Sequence, residues 1–194
     1  MAFRIKAKGL ALATLMAMGA TQVVQAEETN GFFMGLGYQQ GKAGAYKAPL
    51  SHGFPIYGLG FQAGGVGFVN KWFGGRIYSF LDWNNSNQWG ATNSDKWNLY
   101  TYGGAADAIV NFIATDPFSV GLVGGIQLAG TTWTYANFSH TAFQFLFKVG
   151  GRVRIMKHSA FEAGIKFPMV PQQIYSNMNM KRHYAWYVNY VYTF

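Results

Sequence analysis

Tyr184-Ala-Trp-Tyr-Val-Asn-Tyr-Val-Tyr-Thr-Phe194 closes the chain and decides its fold. Phe194, Tyr192, Tyr190, Val188, Trp186 and Tyr184 fall at every second position; Thr193, Asn189 and Ala185 lie between them. Strand side chains alternate between two faces, so this period builds one continuous apolar wall. No glycine, proline or charge interrupts the stretch, and its last residue is aromatic. Soluble domains more often fray into polar residues at this point.

Carried back along the chain, the same alternation marks seven further segments. In 31–40, Phe32, Met34, Leu36 and Tyr38 oppose Gly35, Gly37 and Gln39. In 56–66, Tyr57, Leu59, Phe61 and Ala63 oppose Gly58, Gly60, Gln62 and Gly64. Segment 72–83 is mixed, because Arg76 and Asp82 share a parity with Tyr78 and Phe80. Charge facing hydrocarbon is costly, so Arg76 and Asp82 are assigned inward. Phe80 is then an interior packing residue, or the strand carries a bulge. Segment 97–112 sets Tyr100, Tyr102, Ala106, Val110 and Phe112 against Thr101, Asp107 and Asn111. Segment 118–129 sets Phe118, Val120, Leu122, Ile126 and Leu128 against Gln127. Segment 141–154 opposes Phe143, Phe145, Phe147, Val149 and Val153 to Gln144, Lys148, Arg152 and Arg154. Segment 159–167 opposes Phe161, Ala163, Ile165 and Phe167 to Glu162 and Lys166. Polar or glycine-rich loops are expected at 41–55, 84–96, 130–140 and 168–182, with short turns near 70–71, 116–117 and 156–158. Long connections thus alternate with short ones. The expected fold is all-β, an eight-stranded antiparallel transmembrane β-barrel with periplasmic termini.

The N-terminus fits this compartment. Arg4, Lys6 and Lys8 precede an apolar run at 9–20 and a small-x-small site ending at Ala26. This predicts a secretory signal peptide over 1–26, cleaved after Ala26, and a barrel over 27–194. The apolar run is shorter than the roughly 20 residues of a spanning helix. The remaining 12 basic residues face all 7 acidic ones, and they are scattered rather than gathered on one nucleic-acid-binding element. Cysteine is absent, which excludes disulfides, thiolate nucleophiles and Cys metal sites. Aromatics at 18% with only 11% charge suit aromatic girdles against lipid.

The inward charges are Arg76, Asp82, Asp107, Lys148, Arg152, Arg154, Glu162 and Lys166, five basic and three acidic. Eight strands leave room only for side chains to fill the interior, which favours a paired, hydrogen-bonded plug. The basic excess keeps open a narrow anion-preferring pore. A lipid-modifying enzyme is the third reading, and the chain offers it little. Ser139-His140 has no carboxylate nearby in sequence and His158-Ser159 lies at an expected periplasmic turn, so a non-enzyme is expected. His52, His140, His158 and His183 lack metal-ligand spacing, and no cofactor is expected. Gly35-Leu-Gly37 and Gly58-Leu-Gly60 sit within strand patterns, not nucleotide loops. Trp83, Trp89, Trp97, Trp133 and Tyr135 are expected at outer strand ends, as an interfacial belt or a glycan-stacking surface.

Several stretches resemble the Helicobacter outer-membrane protein family of Hop-type adhesins and porins and smaller Hor-like members. They are Lys71-Trp-Phe-Gly-Gly-Arg-Ile-Tyr-Ser-Phe-Leu-Asp-Trp83, Asn98-Leu-Tyr-Thr-Tyr-Gly103, Gly125-Ile-Gln-Leu-Ala-Gly-Thr-Thr-Trp133, Phe143-Gln-Phe-Leu-Phe147 and the terminal segment. The last strand, through Trp186, Val188, Tyr190, Tyr192 and Phe194, also resembles the C-terminal signature that the barrel-assembly machinery recognises. The resemblance implies an outer-membrane location among lipid and lipopolysaccharide. It also implies a surface or structural role, with contact to a host-cell glycan or receptor through the loops.

Overall fold

The computed structural model describes residues 28–45, 53–86, 97–116, 118–135, 137–175 and 178–194. The expected signal peptide with Ala26, and also His52 and Trp89, lie outside these residues. Among the described residues nine strands follow one another: β1 (Gly31–Ala45), β2 (Phe54–Phe68), β3 (Phe73–Asn85), β4 (Asn98–Ala114), β5 (Ser119–Tyr135), β6 (Phe138–Met156), β7 (Ser159–Pro168), β8 (Gln172–Tyr175) and β9 (Met178–Thr193). Each of β1 to β7 pairs antiparallel with the next, β7 pairs with β9, and β9 pairs with β1. The sheet therefore closes on itself. Both β7 and β8 lie along β9, from Ser159 opposite Tyr192 to Tyr175 opposite Met178. They are one strand position, broken around Pro168 and Pro171, which cannot donate to a ladder. The fold is an eight-stranded antiparallel barrel.

The register fixes its width. Paired residues lead from Trp133 through Leu99, Asn84, Gly58, Gln39, Tyr187, Gly164 and Gly150 back to β5 at Val123. The circuit returns ten residues along the strand from its start. Eight strands with a stagger of ten tilt by about 40° and run on a cylinder of about 8 Å radius.

The wall follows the alternation. Phe32, Leu36, Leu59, Phe61, Ile77, Leu81, Leu122, Leu128, Phe147 and Phe161 are exposed outward, while Arg76, Asp107, Gln127, Lys148 and Glu162 are buried inward. Segment 72–83 resolves without a bulge. Arg76, Tyr78, Phe80 and Asp82 all face in, and Phe80 packs with Phe33, Tyr78 and Leu146. Bulges occur instead at Lys42/Ala43, Asn111/Ile113 and Arg154/Met156. The closing seam carries the terminal segment: Phe194 N donates to Phe32 O at 2.8 Å. Outside it, Phe32 meets Phe194 at 6.0 Å and Tyr38 meets Trp186 at 5.4 Å between ring centroids.

Both described termini share one end with the tight connections 69–72, 115–118 and 157–158. There Asn70 Oδ1 accepts from Trp72 N at 2.8 Å and Phe73 N at 2.9 Å, a turn that asparagine closes with its own side chain. Short turns mark this end as periplasmic.

The opposite end corrects the sequence reading. The expected loop 130–140 is strand: β5 runs to Tyr135 and β6 begins at Phe138. The expected loop 168–182 contains β8 and the first turns of pairing in β9, and β1 and β2 also reach into 41–55. Thr-rich and aromatic sequence forms strand readily. What changes there is the polarity pattern. Above the membrane Ser139 and Thr141 point outward and are exposed, while Leu99, Trp133 and Met180 point inward and are buried.

Candidate functional site

The inward charges gather into three layers. In the central layer Arg76 and Asp107 are opposed in the β3–β4 register. Arg76 Nε and Nη2 donate to Asp107 Oδ2 at 2.9 and 2.8 Å. The same guanidinium reaches across the lumen to Glu162, Nη1 to Oε1 at 2.7 Å and Nη2 to Oε2 at 2.8 Å. Lys148 Nζ donates to Asp107 Oδ2 at 3.0 Å and to the Tyr78 hydroxyl at 3.2 Å. The Tyr78 hydroxyl donates to Asp107 at 3.1 Å and accepts from Gln127 Nε2 at 3.3 Å. Arg76 lies 5.2 Å from both the Phe33 and Tyr78 ring centroids, and Lys148 lies 5.1 Å from that of Tyr187. Two cations and two carboxylates thus balance, with bidentate geometry at the arginine. Gly150 and Gly164 make the room for Tyr187: a Cβ on either would stand 2.6 or 2.7 Å from its hydroxyl.

Toward the extracellular end, Lys166 Nζ donates to Asp82 Oδ2 at 2.6 Å. Arg182, buried on β9, donates through Nη2 to Gln39 Oε1 at 3.1 Å. A cavity of about 10 Å³ beside Asp82, Lys166, Gln62 and Asn189 has space for a single water. Above it lies an apolar cap of Ala43, Ile56, Leu99, Trp133 and Met180, with Phe54, Trp97 and Phe138 against it. Trp133, only 1% exposed, is neither belt nor glycan surface; its Nε1 donates to Gln172 Oε1 inside the barrel. Trp97 stacks on Tyr135 at 4.8 Å, and Trp83 faces outward beside Tyr100 in the belt.

At the periplasmic mouth a residue that the alternation does not reach completes the third layer. Glu28 precedes β1 and turns into the lumen. Arg152 grips it bidentately, Nη1 to Oε1 at 3.1 Å and Nη2 to Oε2 at 3.0 Å. Arg154 Nε lies 3.2 Å from Oε1, Ser119 Oγ donates to Oε1 at 2.5 Å, and Asn111 Nδ2 donates to it at 3.0 Å. Burial pushes the Glu28 carboxyl up. The charge and hydrogen bond of Arg152, the Ser119 hydroxyl and the Arg154 charge outweigh that and hold it below its ordinary value.

A sequence profile described as Helicobacter outer membrane protein matches residues 58–194. The chain belongs to the Helicobacter outer membrane protein family. The match takes in most of β2 and all of β3 to β9, and so the central charge layer; Glu28 and β1 precede it. No curated protein matches the chain.

Solved structures with a similar fold include neisserial surface protein A, at a TM-score of 0.55 and 14% identity, covering 84% of this chain and 97% of that one. Ail, the attachment invasion locus protein of Yersinia pestis, is similar at a TM-score of 0.50 and 11% identity, covering 86% and 100%. Its complex with the heparin analogue sucrose octasulfate is similar at 0.50 and 10%, covering 85% and 99%. These likenesses concern the fold. This Helicobacter outer membrane protein is an outer-membrane barrel.

In this family member the eight sequence-assigned charges divide four, two and two among the layers. Glu28, Arg182, Tyr78 and Gln39 join them. Arg182 had no signal because it fell in an expected loop, and Glu28 because it lies outside any strand. The described histidines do not gather into a metal-binding group. Ser139 and His140 are successive strand residues on opposite faces of β6, so they cannot converge on one substrate. His158 Nδ1 donates to Thr193 O at 2.6 Å and braces the last strand. Among the described residues no three His, Cys, Asp or Glu side chains are placed to hold a metal ion.

Proposed function

We propose that this Helicobacter outer membrane protein is a closed, non-enzymatic surface scaffold that meets anionic glycans of host cells through its extracellular rim. The observation that carries this reading is the filled lumen. Three charge layers and an apolar cap occupy a cylinder whose backbone radius is about 8 Å, so little is left for solute passage. Function then belongs to the rim. The β1–β9 pairing sets Lys42 opposite Tyr184 and Gly44 opposite Lys181, which gathers Lys42, Lys181 and His183 at the seam. Ail, with a similar fold, has been crystallised with a heparin analogue, which agrees with a sulfated ligand for such a rim. The chain is taken to reach the membrane by cleavage after Ala26 and by docking of Trp186 to Phe194 on the barrel-assembly machinery.

The test has two arms. In planar bilayers the folded protein is expected to give no discrete conductance steps; steps whose anion preference falls in Arg152→Gln would replace the scaffold with the narrow pore. On immobilised heparin, Lys42→Gln with Lys181→Gln is expected to weaken retention several-fold while heat-modifiable mobility stays intact. Unchanged retention would remove the glycan reading.

A further inference from the structure

The layer at the periplasmic mouth has more donors than its occupant uses. Four side chains from three strands converge there: Asn111 of β4, Ser119 of β5, and Arg152 and Arg154 of β6. All are at least nine-tenths buried. A bidentate guanidinium, a hydroxyl and an amide donate to the two oxygens of one carboxylate, and a second guanidinium, whose Nε donates to Ser119 Oγ at 3.3 Å, lies 3.2 Å from it. Two buried arginines share one buried glutamate, and the second carboxylate within reach, that of Asp116, is exposed. Arg154 Nη1 is buried and makes no hydrogen bond among the described residues; it lies 3.9 Å from Asp116 Oδ1, on a side chain 67% exposed. A dianion would satisfy this set better than a carboxylate does.

The occupant sits on a slender arm. Beyond Glu28 itself, the arm is held by Thr29 Oγ1 donating to Lys157 O at 2.7 Å and by Asn30 Oδ1 accepting from Phe68 N at 2.7 Å. The arm lies outside the barrel ladder, so it can be withdrawn without opening a strand pair.

We propose that Asn111, Ser119, Arg152 and Arg154 form an oxyanion site of the phosphate class at the periplasmic mouth, which Glu28 occupies as an internal, displaceable latch. With the latch seated, the site is filled by the chain's own carboxylate. With it withdrawn, the two guanidinium groups are left facing each other and take a free tetrahedral oxyanion from the periplasm. The site points into the lumen rather than at lipid, so the ligand comes from solution and not from a phospholipid headgroup. The proposal is independent of the extracellular rim, whose test leaves this end of the barrel untouched.

The experiment uses the folded protein purified in detergent and follows its unfolding midpoint against inorganic phosphate, with chloride matching ionic strength. Glu28→Ala is expected to lower the midpoint by several degrees in chloride and to recover it, saturably, in phosphate. The unaltered protein is expected to show no saturable response. In Glu28→Ala combined with Arg152→Gln, the recovery is expected to be lost. Should Glu28→Ala fail to fold, Glu28→Gln keeps the side chain's volume but weakens its hold on the two arginines, and is expected to show a smaller loss in chloride with saturable recovery in phosphate. Dioleoyl phosphatidic acid in mixed micelles with the same detergent serves as the headgroup arm and is expected to give no recovery. A midpoint that ignores phosphate in both variants overturns the site. Equal recovery without Arg152, or recovery by phosphatidic acid alone, overturns it as well.

Discussion

Asp107 shows what the interior asks of a single residue. It accepts from Arg76, Lys148 and Tyr78 and has no route to water. Asp107→Asn keeps the shape and removes the charge, leaving two cations to share Glu162. Breaking one partner out of such a buried set costs about 3–5 kcal/mol. The variant is therefore expected to unfold at distinctly lower urea from phospholipid vesicles, read by tryptophan fluorescence. Adding Lys148→Met restores the charge balance and is expected to recover part of the loss; a double variant as weak as the sum of its parts would deny the coupling. Glu28 adds a pH dependence whose sign follows from its lowered proton affinity. Arg152, Arg154, Ser119 and Asn111 face it, with Asp116 beyond Arg154. A depressed carboxyl stabilises the fold fully above its ordinary value of 4.5 and loses that contribution as pH falls through the lower folded value. Acid titration of the unfolding midpoint is expected to fall more steeply in the natural protein than in Glu28→Gln; parallel curves would exclude the contribution.

The strands divide into two regimes, and this division decides how legible each was. Where hydrocarbon touches the wall, outward residues are apolar and inward ones polar, so Phe143, Phe145 and Phe147 against Gln144 and Lys148 announce themselves. Higher up, β5 and β6 leave the bilayer and behave as a water-soluble sheet wrapped around Trp133. The same alternation then carries the opposite polarity, and a search tuned to one sign sees a loop at 130–140. β8 was hidden for another reason: its four residues after Pro171 are too few to show a period. Arg76 and Asp82 were placed by the cost of charge in lipid alone, whereas their partners needed the register. At the last strand the prediction is direct. Tyr190 and Tyr192 stand 41% and 38% exposed on the lipid wall, beside Phe161 and His158. Replacing both with Asp puts two charges into the outer face of the closing seam. Heat-modifiable barrel is expected to be lost from the outer membrane, without any change in the loops. Normal assembly of that variant would contradict the terminal strand's role.

At the scale of the molecule the barrel is solid along most of its axis: a carboxylate latch, a balanced charge cluster, a second ion pair and an aromatic lid. Its fold is shared with neisserial surface protein A and Ail at very low identity. The filled interior also bears on how the cylinder closes. Pleating allows β9 to dock on β1 only at registers two residues apart, a step of about 6.6 Å. The apolar outer wall tolerates such a step, because one aromatic replaces another. The lumen does not, because Arg182 would leave Gln39 and the ion pairs anchored on β7 would fall out of line with those on β3. The buried charges therefore act as a vernier scale read once, at the moment of closure: they reject misaligned cylinders that the greasy exterior alone would accept.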